Sequence, residues 1–567
     1  MQNHLPTNAE VAFDWNADEY TPFYTELLNS DLNQENAHQW LAQWTRLADF
    51  AGEVGSKLYV ATTVDTNDEI AEKRFKKFLN EIYPVLMMNE DMLKRKLLAS
   101  GADIPELAIP MRNIRGDVEL FREENLSLFS EEGELSMEYD KVIGAQTITW
   151  DGEEITLPQV QLTLKESDRN RREQIWRMAE ERRLADKPAL DGLWKKFMGL
   201  RKQMFANVGL ADYREFQWKL KHRYDYTAQD ALAFNKAVEE VVVPVAARLY
   251  ERRRKRLGVA SLRPWDILVD PDNHPALKPY ETVEELENTM ATLFDRVDPQ
   301  LGGYYHTMMN EELLDLDNRK GKAPGGYCTS YPNIKRPFIF MNAVGVHDDV
   351  QTLLHEGGHA FHVFESANLP YSQQKDVPME FAEVASMSME LIGAPYLSKS
   401  NGGFYSDADA NRARVEHLEG MIQFWGYMSV VDMFQHWIYT HHDLATDPVA
   451  CDDQWAELWS RYMVGIDYTG LEQFLGNRWR RQLHIFQIPF YYIEYGLAQL
   501  GAAQVWANSL KNQAGALADY RKALALGGTA KLPDLFKTAG AKLAFDSQTL
   551  ADSVDLIERT IYQLDPA

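Results

Sequence analysis

Apolar residues recur at helical spacing through most of this chain. The pattern is clearest in three long runs rich in Leu, Ala, Glu, Lys and Arg: Asn67 to Ser100, Glu166 to Val208 and Thr227 to Leu257. A chain of 567 residues patterned this way must bury its helical stripes against one another, so the fold expected is mainly α. Strand signals are few. Ile148 to Leu157 places Asp151-Gly152 at a two-residue hairpin turn. Arg336 to Asn342 is a short apolar run after a Gly- and Pro-rich loop, and Pro337 suits an edge strand. With 45% hydrophobic and 25% charged residues, and neither internal repeats nor low-complexity linkers, disordered and fibrous classes are excluded.

Charge narrows the partners. The chain carries 59 Lys+Arg against 85 Asp+Glu, a formal balance of −26. Such a surface repels phosphate backbones and anionic lipid, so no nucleic-acid and no membrane partner is expected. The one basic cluster, Arg252-Arg-Arg-Lys-Arg256, ends a helical run just before Gly258 and reads as a solvated helix C-terminus that complements the helix dipole. The two cysteines, Cys328 and Cys451, sit in no CxxC or Cys/His spacing, which fits a reducing compartment. Neither a leader-like N-terminus nor a window of about 18 uncharged apolar residues is found, and a cytoplasmic location is expected.

The chemistry concentrates in Leu353-Leu-His-Glu-Gly-Gly-His-Ala-Phe-His-Val-Phe-Glu365, which contains HExxH as His355-Glu356-x-x-His359. On a helix, residues four apart share a face, so the two imidazoles can bind one zinc ion while Glu356, offset to the side, reaches its water. Val350, Leu353, Gly357, Phe361 and Phe364 fall on one side of that helix and His355, His359 and His362 on the other, so one face is read as core and the other as cleft. Asp348 or Asp349 can cap its start. Gly357 and Gly358 each cost about 1 kcal/mol inside a helix, which makes sense if another backbone packs against them.

A catalytic zinc needs a third protein ligand and an open position. A helix that simply continues points Glu365 away from His355 and His359, so the ligand must come from elsewhere. The segment Val377 to Leu391 opens with Pro378 and carries Glu380, Glu383 and Glu390. Glu383 and Glu390 share a helical face and Glu380 lies one turn before Glu383; spacing alone does not choose among the three.

These residues resemble the thimet oligopeptidase and oligoendopeptidase F family of zinc metallopeptidases. The likeness rests on His355-Glu-Gly-Gly-His-Ala-Phe-His362, on Glu380-Phe-Ala-Glu-Val-Ala-Ser386, and on a late block of His484 and Phe490-Tyr-Tyr-Ile-Glu-Tyr495. Upstream, Asp315 to Cys328 is similar as well. The resemblance implies one zinc ion per chain on His355, His359 and Glu383, with Glu356 as general base. Glu380 and Ser386 would then stand behind the ligands, able to orient an imidazole. Tyr495 is implied as oxyanion donor, with Tyr492 and His484 as neighbours and Tyr491 or Tyr492 as alternates; Tyr491 is also placed on the substrate side. His362 is read as a cleft or hydrogen-bonding residue and not a ligand. Gly325, Gly326 and Tyr327 are expected on a substrate-facing loop, and Phe338 to Asn342, with Phe340 and Asn342, as the edge strand that pairs with a peptide.

The implied architecture is mainly α: a large two-lobed helical metallopeptidase enclosing a deep substrate channel, with a small β element near the active site. Residues 1–195 would form an N-terminal helical part of the channel wall and 196–567 the catalytic region with the zinc site, with soft boundaries and lobes free to interleave along the chain. The implied activity is hydrolysis of internal bonds in short peptides, by a monomer or small homo-oligomer. The alternatives are a zinc carboxypeptidase or dipeptidyl carboxypeptidase on a similar scaffold, and a peptide-holding protein with an idle metal site. Glu356 and the tyrosine block argue against the last.

Overall fold

The run from Thr227 forms one helix, Ala228–Leu257, with both ends set by sequence. Thr227 accepts a hydrogen bond from the Asp230 N–H, Asp230 accepts one from the Thr227 N–H, and left-handed Gly258 (φ 66°) stops the helix. The other two runs are also helical: Glu69–Lys77 and Tyr83–Ser100 flank a π-helical turn at Phe78–Ile82, and Arg169–Ala185 is followed by Lys187–Val208. The hairpin forms as expected from strands β1 (Thr147–Trp150) and β2 (Glu153–Thr156), with Asp151 and Gly152 both at positive φ.

The computed structural model describes residues 5–566, most of them helical. Contacts divide them into two units. One comprises residues up to Glu119, Leu277–Ala413 and Gly501–Leu543; the other comprises Leu120–Ala276, Arg414–Leu500 and the residues from Ala544. The division expected at 195/196 falls inside the helix Lys187–Val208 of the second unit. Among the described residues, no helix is long and apolar enough to cross a membrane.

The first unit packs its N-terminal helices around Tyr20, Trp40, Trp44, Phe50 and Leu93. It also holds a three-stranded sheet of β3 (Leu314–Asp317), β4 (Tyr327–Tyr331) and β5 (Arg336–Ala343). The order β3-β5-β4 puts β5 in the middle, parallel to β3 and antiparallel to β4, which corrects its assignment as an edge strand. Pro337 is tolerated there because it pairs only with Ser330 of β4; β3 joins two residues later, at Ile339.

In the second unit, the basic cluster is tied down instead of being simply solvated. Arg253 and Arg254 donate to the carbonyls of Val269 and Val259, and Arg256 pairs with Asp272 and Asp565. The loop that folds back after Gly258 brings in Val259, Val269 and Asp272, and Asp565 comes from the far end of the chain; a linear reading does not show either return.

Candidate metal centre

The motif helix, His347–Ser366, starts on a carboxylate cap. Asp349, inside the first turn, accepts from the N–H groups of Val344, Gly345 and Val346 and from the Tyr280 hydroxyl, so of the two aspartates it is the one that sets the entry. Two turns on, His355 and His359 share a face with ring centroids 5.0 Å apart. The paired glycines then matter. A Cβ at Gly358 would lie 2.5 Å from the Ala385 carbonyl oxygen and from the Ser386 Cα, and one at Gly357 would lie 2.7 Å from the Phe294 ring. Only bare backbone lets the helix Met379–Gly393 cross this closely.

That crossing delivers Glu383. Its Oε2 lies 3.3 Å from His355 Nε2 and 3.7 Å from His359 Nε2, and one donor atom from each of the three residues falls within 4.8 Å of the others. Glu380 is buried but is not part of this group. Glu390, seven residues beyond Glu383, places Oε1 at 2.6 Å from His355 Nδ1, so the imidazole is held with Nε2 turned toward the centre. Ser386 donates to Glu383 Oε2 at 3.0 Å and so orients the carboxylate, not an imidazole as expected. Two ring nitrogens and one carboxylate oxygen, with His355 steadied from behind by Glu390 and Glu383 by Ser386, fit a zinc ion.

Electrostatics follow the same arrangement. Burial pulls the His355 imidazole down most strongly of any single influence, but Glu383 and Glu390 together hold it well above its ordinary value. Burial alone would raise Glu383; the His355 hydrogen bond and the two imidazole charges outweigh it and leave the carboxyl low. His359 is lowered to about 4 by burial. Glu356 is buried beside the donor group without belonging to it, and desolvation pushes it up to about 7 against the opposing charge of His355 and a backbone hydrogen bond from Cys328.

His362 does not face a cleft. It is buried edge-on against the Phe381 ring, its Nε2 meets no polar partner, and burial lowers it to about 3, a neutral core histidine. Glu365 points away as expected, to Arg521 Nε at 2.6 Å.

Of the expected substrate contacts, Gly325 and Gly326 lie exposed in the loop before β4. Asn342 spends its amide on that loop, donating to the carbonyls of Ala323 and Gly325. The Tyr327 hydroxyl pairs with Thr63 Oγ1, and its ring stacks on Phe340 at 4.9 Å. Phe340 itself is fully buried, so it supports Tyr327 and presents nothing to a substrate.

The tyrosine block belongs to the second unit and is clustered there. The His484 ring centroid lies 4.9, 5.7 and 6.2 Å from those of Tyr492, Tyr491 and Tyr495. Gln482, missed in the sequence, is its hub: its amide nitrogen lies 3.0 Å from His484 Nδ1 and donates to the Tyr492 hydroxyl at 2.9 Å, while its oxygen accepts from Tyr427. Tyr492 is buried and raised by desolvation, whereas Tyr491 and Tyr495 are half-buried. Desolvation lowers His484 to about 4. Phe490, just before the block, sits at φ 61°, a left-handed conformation costly for a bulky residue. It is held by its N–H to Gln435 Oε1 (2.6 Å) and by Arg223, which reaches the Phe490 carbonyl and Glu494 together.

A mainly helical fold with a His-Glu-x-x-His helix crossed by a glutamate helix defines a helical peptidase class, and comparison with known proteins agrees. The chain belongs to peptidase family M3, whose sequence profile matches residues 162–554. The solved structure of PZ peptidase A with an inhibitor is 28% identical and superposes with a TM-score of 0.89 over 97% of this chain and 98% of that one. Oligopeptidase PepF of Bacillus subtilis (strain 168) is 23% identical over 81% of this chain and 68% of its own. An oligoendopeptidase F homolog of Lactococcus lactis subsp. lactis (strain IL1403) is 31% identical, and that match spans about a third of each chain, 31%.

Proposed function

We propose that the protein is a zinc-dependent oligoendopeptidase that hydrolyses internal bonds of short unstructured peptides in the cytoplasm. The observation that carries the reading is Glu356, a carboxylate buried alongside a two-histidine, one-glutamate donor group and left outside it. When bound by His355, His359 and Glu383, zinc supplies a Lewis acid that polarises the scissile carbonyl and acidifies water. Glu356, buried beside the donor group, takes the proton of the attacking water on its carboxylate and hands it to the leaving amine nitrogen. Glu390 and Ser386 hold His355 and Glu383 in place through this transfer. Tyr495 donates its phenol to the oxyanion; support comes from the family likeness.

The test combines metal analysis with product mapping. Purified protein is expected to hold one zinc, to lose it in Glu383→Gln, and to keep it in Glu380→Gln. Peptides blocked at both ends are expected to be cut internally. Cleavage only of peptides with a free carboxyl end would favour the carboxypeptidase reading, and zinc loss in Glu380→Gln alone would move the third ligand.

A further inference from the structure

Outside the metal centre, one recessed cluster of the second unit carries more positive charge than it neutralises. Glu180, on the helix Arg169–Ala185, is buried, and three guanidinium groups converge on its Oε1: Arg183 Nη1 at 2.7 Å, Arg481 Nη1 at 3.5 Å and Arg478 Nη1 at 3.8 Å. Only the Arg183 contact is a hydrogen bond. Arg478 is 11% exposed, lies over the rings of Trp459 and Tyr468, and its buried Nε has no hydrogen-bond partner. Arg481 is 31% exposed, and its guanidinium faces one carboxylate at ion-pair distance only. The intervening Arg480 is different: Asp191 and Asp452 bind it at 2.6 and 2.5 Å. The shortage of anions is therefore specific to one side of the Arg478–Arg481 turn.

Buried guanidinium groups are expected to be matched by acceptors, and a like-charged set around one carboxylate leaves donor capacity that a further anion would fill. Burial and the charge of Arg481 pull even Arg183 down to about 10. The setting sharpens the point, because a chain of net charge −26 disfavours anionic ligands at long range and can recognise one only through such a local excess. The cluster adjoins the tyrosine block in sequence: Arg481 directly precedes Gln482, the residue that holds Tyr492, Tyr427 and His484.

We propose that Arg481 and Arg478, backed by Arg183, form a subsite that binds a carboxylate of the peptide substrate through the planar donor edge of Arg481. The carboxylate is either the peptide's free C-terminus or an Asp or Glu side chain, since both present the same two-oxygen fork. This inference rests on the peptidase reading for the identity of its ligand and on the arginine geometry for the site.

The experiment measures binding apart from turnover. Three matched short peptides are titrated calorimetrically into Glu356→Gln protein, in which cutting is suppressed: one with a free C-terminus and no acidic side chain, its C-terminal amide, and the amide carrying one Glu. At least one carboxylate-bearing peptide is expected to bind about tenfold more tightly than the plain amide. A preference for the free acid identifies the C-terminus; a preference for the Glu-bearing amide identifies a side chain. Adding Arg481→Gln is expected to bring the affinity ratio close to one, and Arg481→Lys to retain part of it. Equal affinities for all three peptides, or a preference that survives Arg481→Gln, would overturn the subsite. If Arg481→Gln fails to fold, Arg481→Lys carries the attribution: a reduced affinity ratio supports the subsite and an unchanged ratio overturns it. A protein that shows the preference but cuts no peptide with Glu356 in place would sink the peptidase reading and leave the subsite standing.

Discussion

Glu390 Oε1 lies 2.6 Å from His355 Nδ1, thirty-five residues away in sequence, and so fixes which ring nitrogen of the first histidine faces the metal centre. Removing that partner frees the ring to turn and lowers its basicity without deleting a donor. Glu390→Ala is expected to weaken zinc binding about 10- to 100-fold, the usual effect of losing a carboxylate behind a metal-bound histidine. Competition against a chelator of known affinity measures it; unchanged affinity would reduce Glu390 to a bystander.

Gly358 is where the two ligand-bearing helices touch. Because a methyl group there would stand 2.5 Å from backbone atoms of Ala385 and Ser386, the crossing must open to admit it. Gly358→Ala is expected to cost about 1–3 kcal/mol of stability, as overpacking does, despite alanine's better helix propensity. Zinc affinity should fall as well, since Glu383 rides on the displaced helix. A variant more stable than its parent in urea unfolding would contradict the close crossing.

The two tyrosines of the late block should fail in different ways. Tyr495→Phe is expected to lower kcat by about 10²- to 10³-fold with little change in KM, the loss typical of one oxyanion donor. Tyr492→Phe instead strips an acceptor from the buried Gln482 amide and should cost about 1–3 kcal/mol of stability, with the smaller kinetic effect. Steady-state kinetics and thermal melts on both variants separate the roles.

Glu90 gives a pH signature to the N-terminal core. It accepts from Trp44 Nε1 at 2.8 Å and from the Tyr24 hydroxyl, and burial raises its carboxyl in spite of both bonds. A carboxyl raised on folding is protonated more readily in the native state. Its contribution to stability is therefore greatest at low pH and declines as pH climbs from the ordinary carboxylate range through the raised native value. Glu90→Gln is expected to flatten that decline relative to the parent in urea unfolding followed across the range; parallel curves would show that Glu90 does not titrate this way.

Much of this organisation is legible in the residues. The helical runs, the Asp151-Gly152 hairpin and the motif helix depend on local spacing, which sequence carries directly. The glycine pair in the motif also announces a close neighbour. What depends on distant segments is not legible. β5 looks like an edge strand until β3 arrives on its far side, and Phe340 is buried as a consequence. His362 shares a helical side with the ligands on paper, yet the neighbouring Phe381 encloses it. Glu390 could be placed on the same face as Glu383 by counting, but its partner could not, because a period gives direction and not reach. Where the chain passes from one unit to the other follows from long-range contacts that no linear composition shift marks.

On the proposed reading, Glu356 moves protons for a zinc site it does not help to build. Glu356→Gln keeps the side chain's size and removes its basicity, so zinc content and turnover should part company. Metal analysis and peptide cleavage on the same preparation are expected to show zinc at the parental level and cleavage slowed at least about 10²-fold, the lower range for a general base. Parental cleavage by the zinc-loaded variant, or loss of zinc in step with activity, would contradict the account.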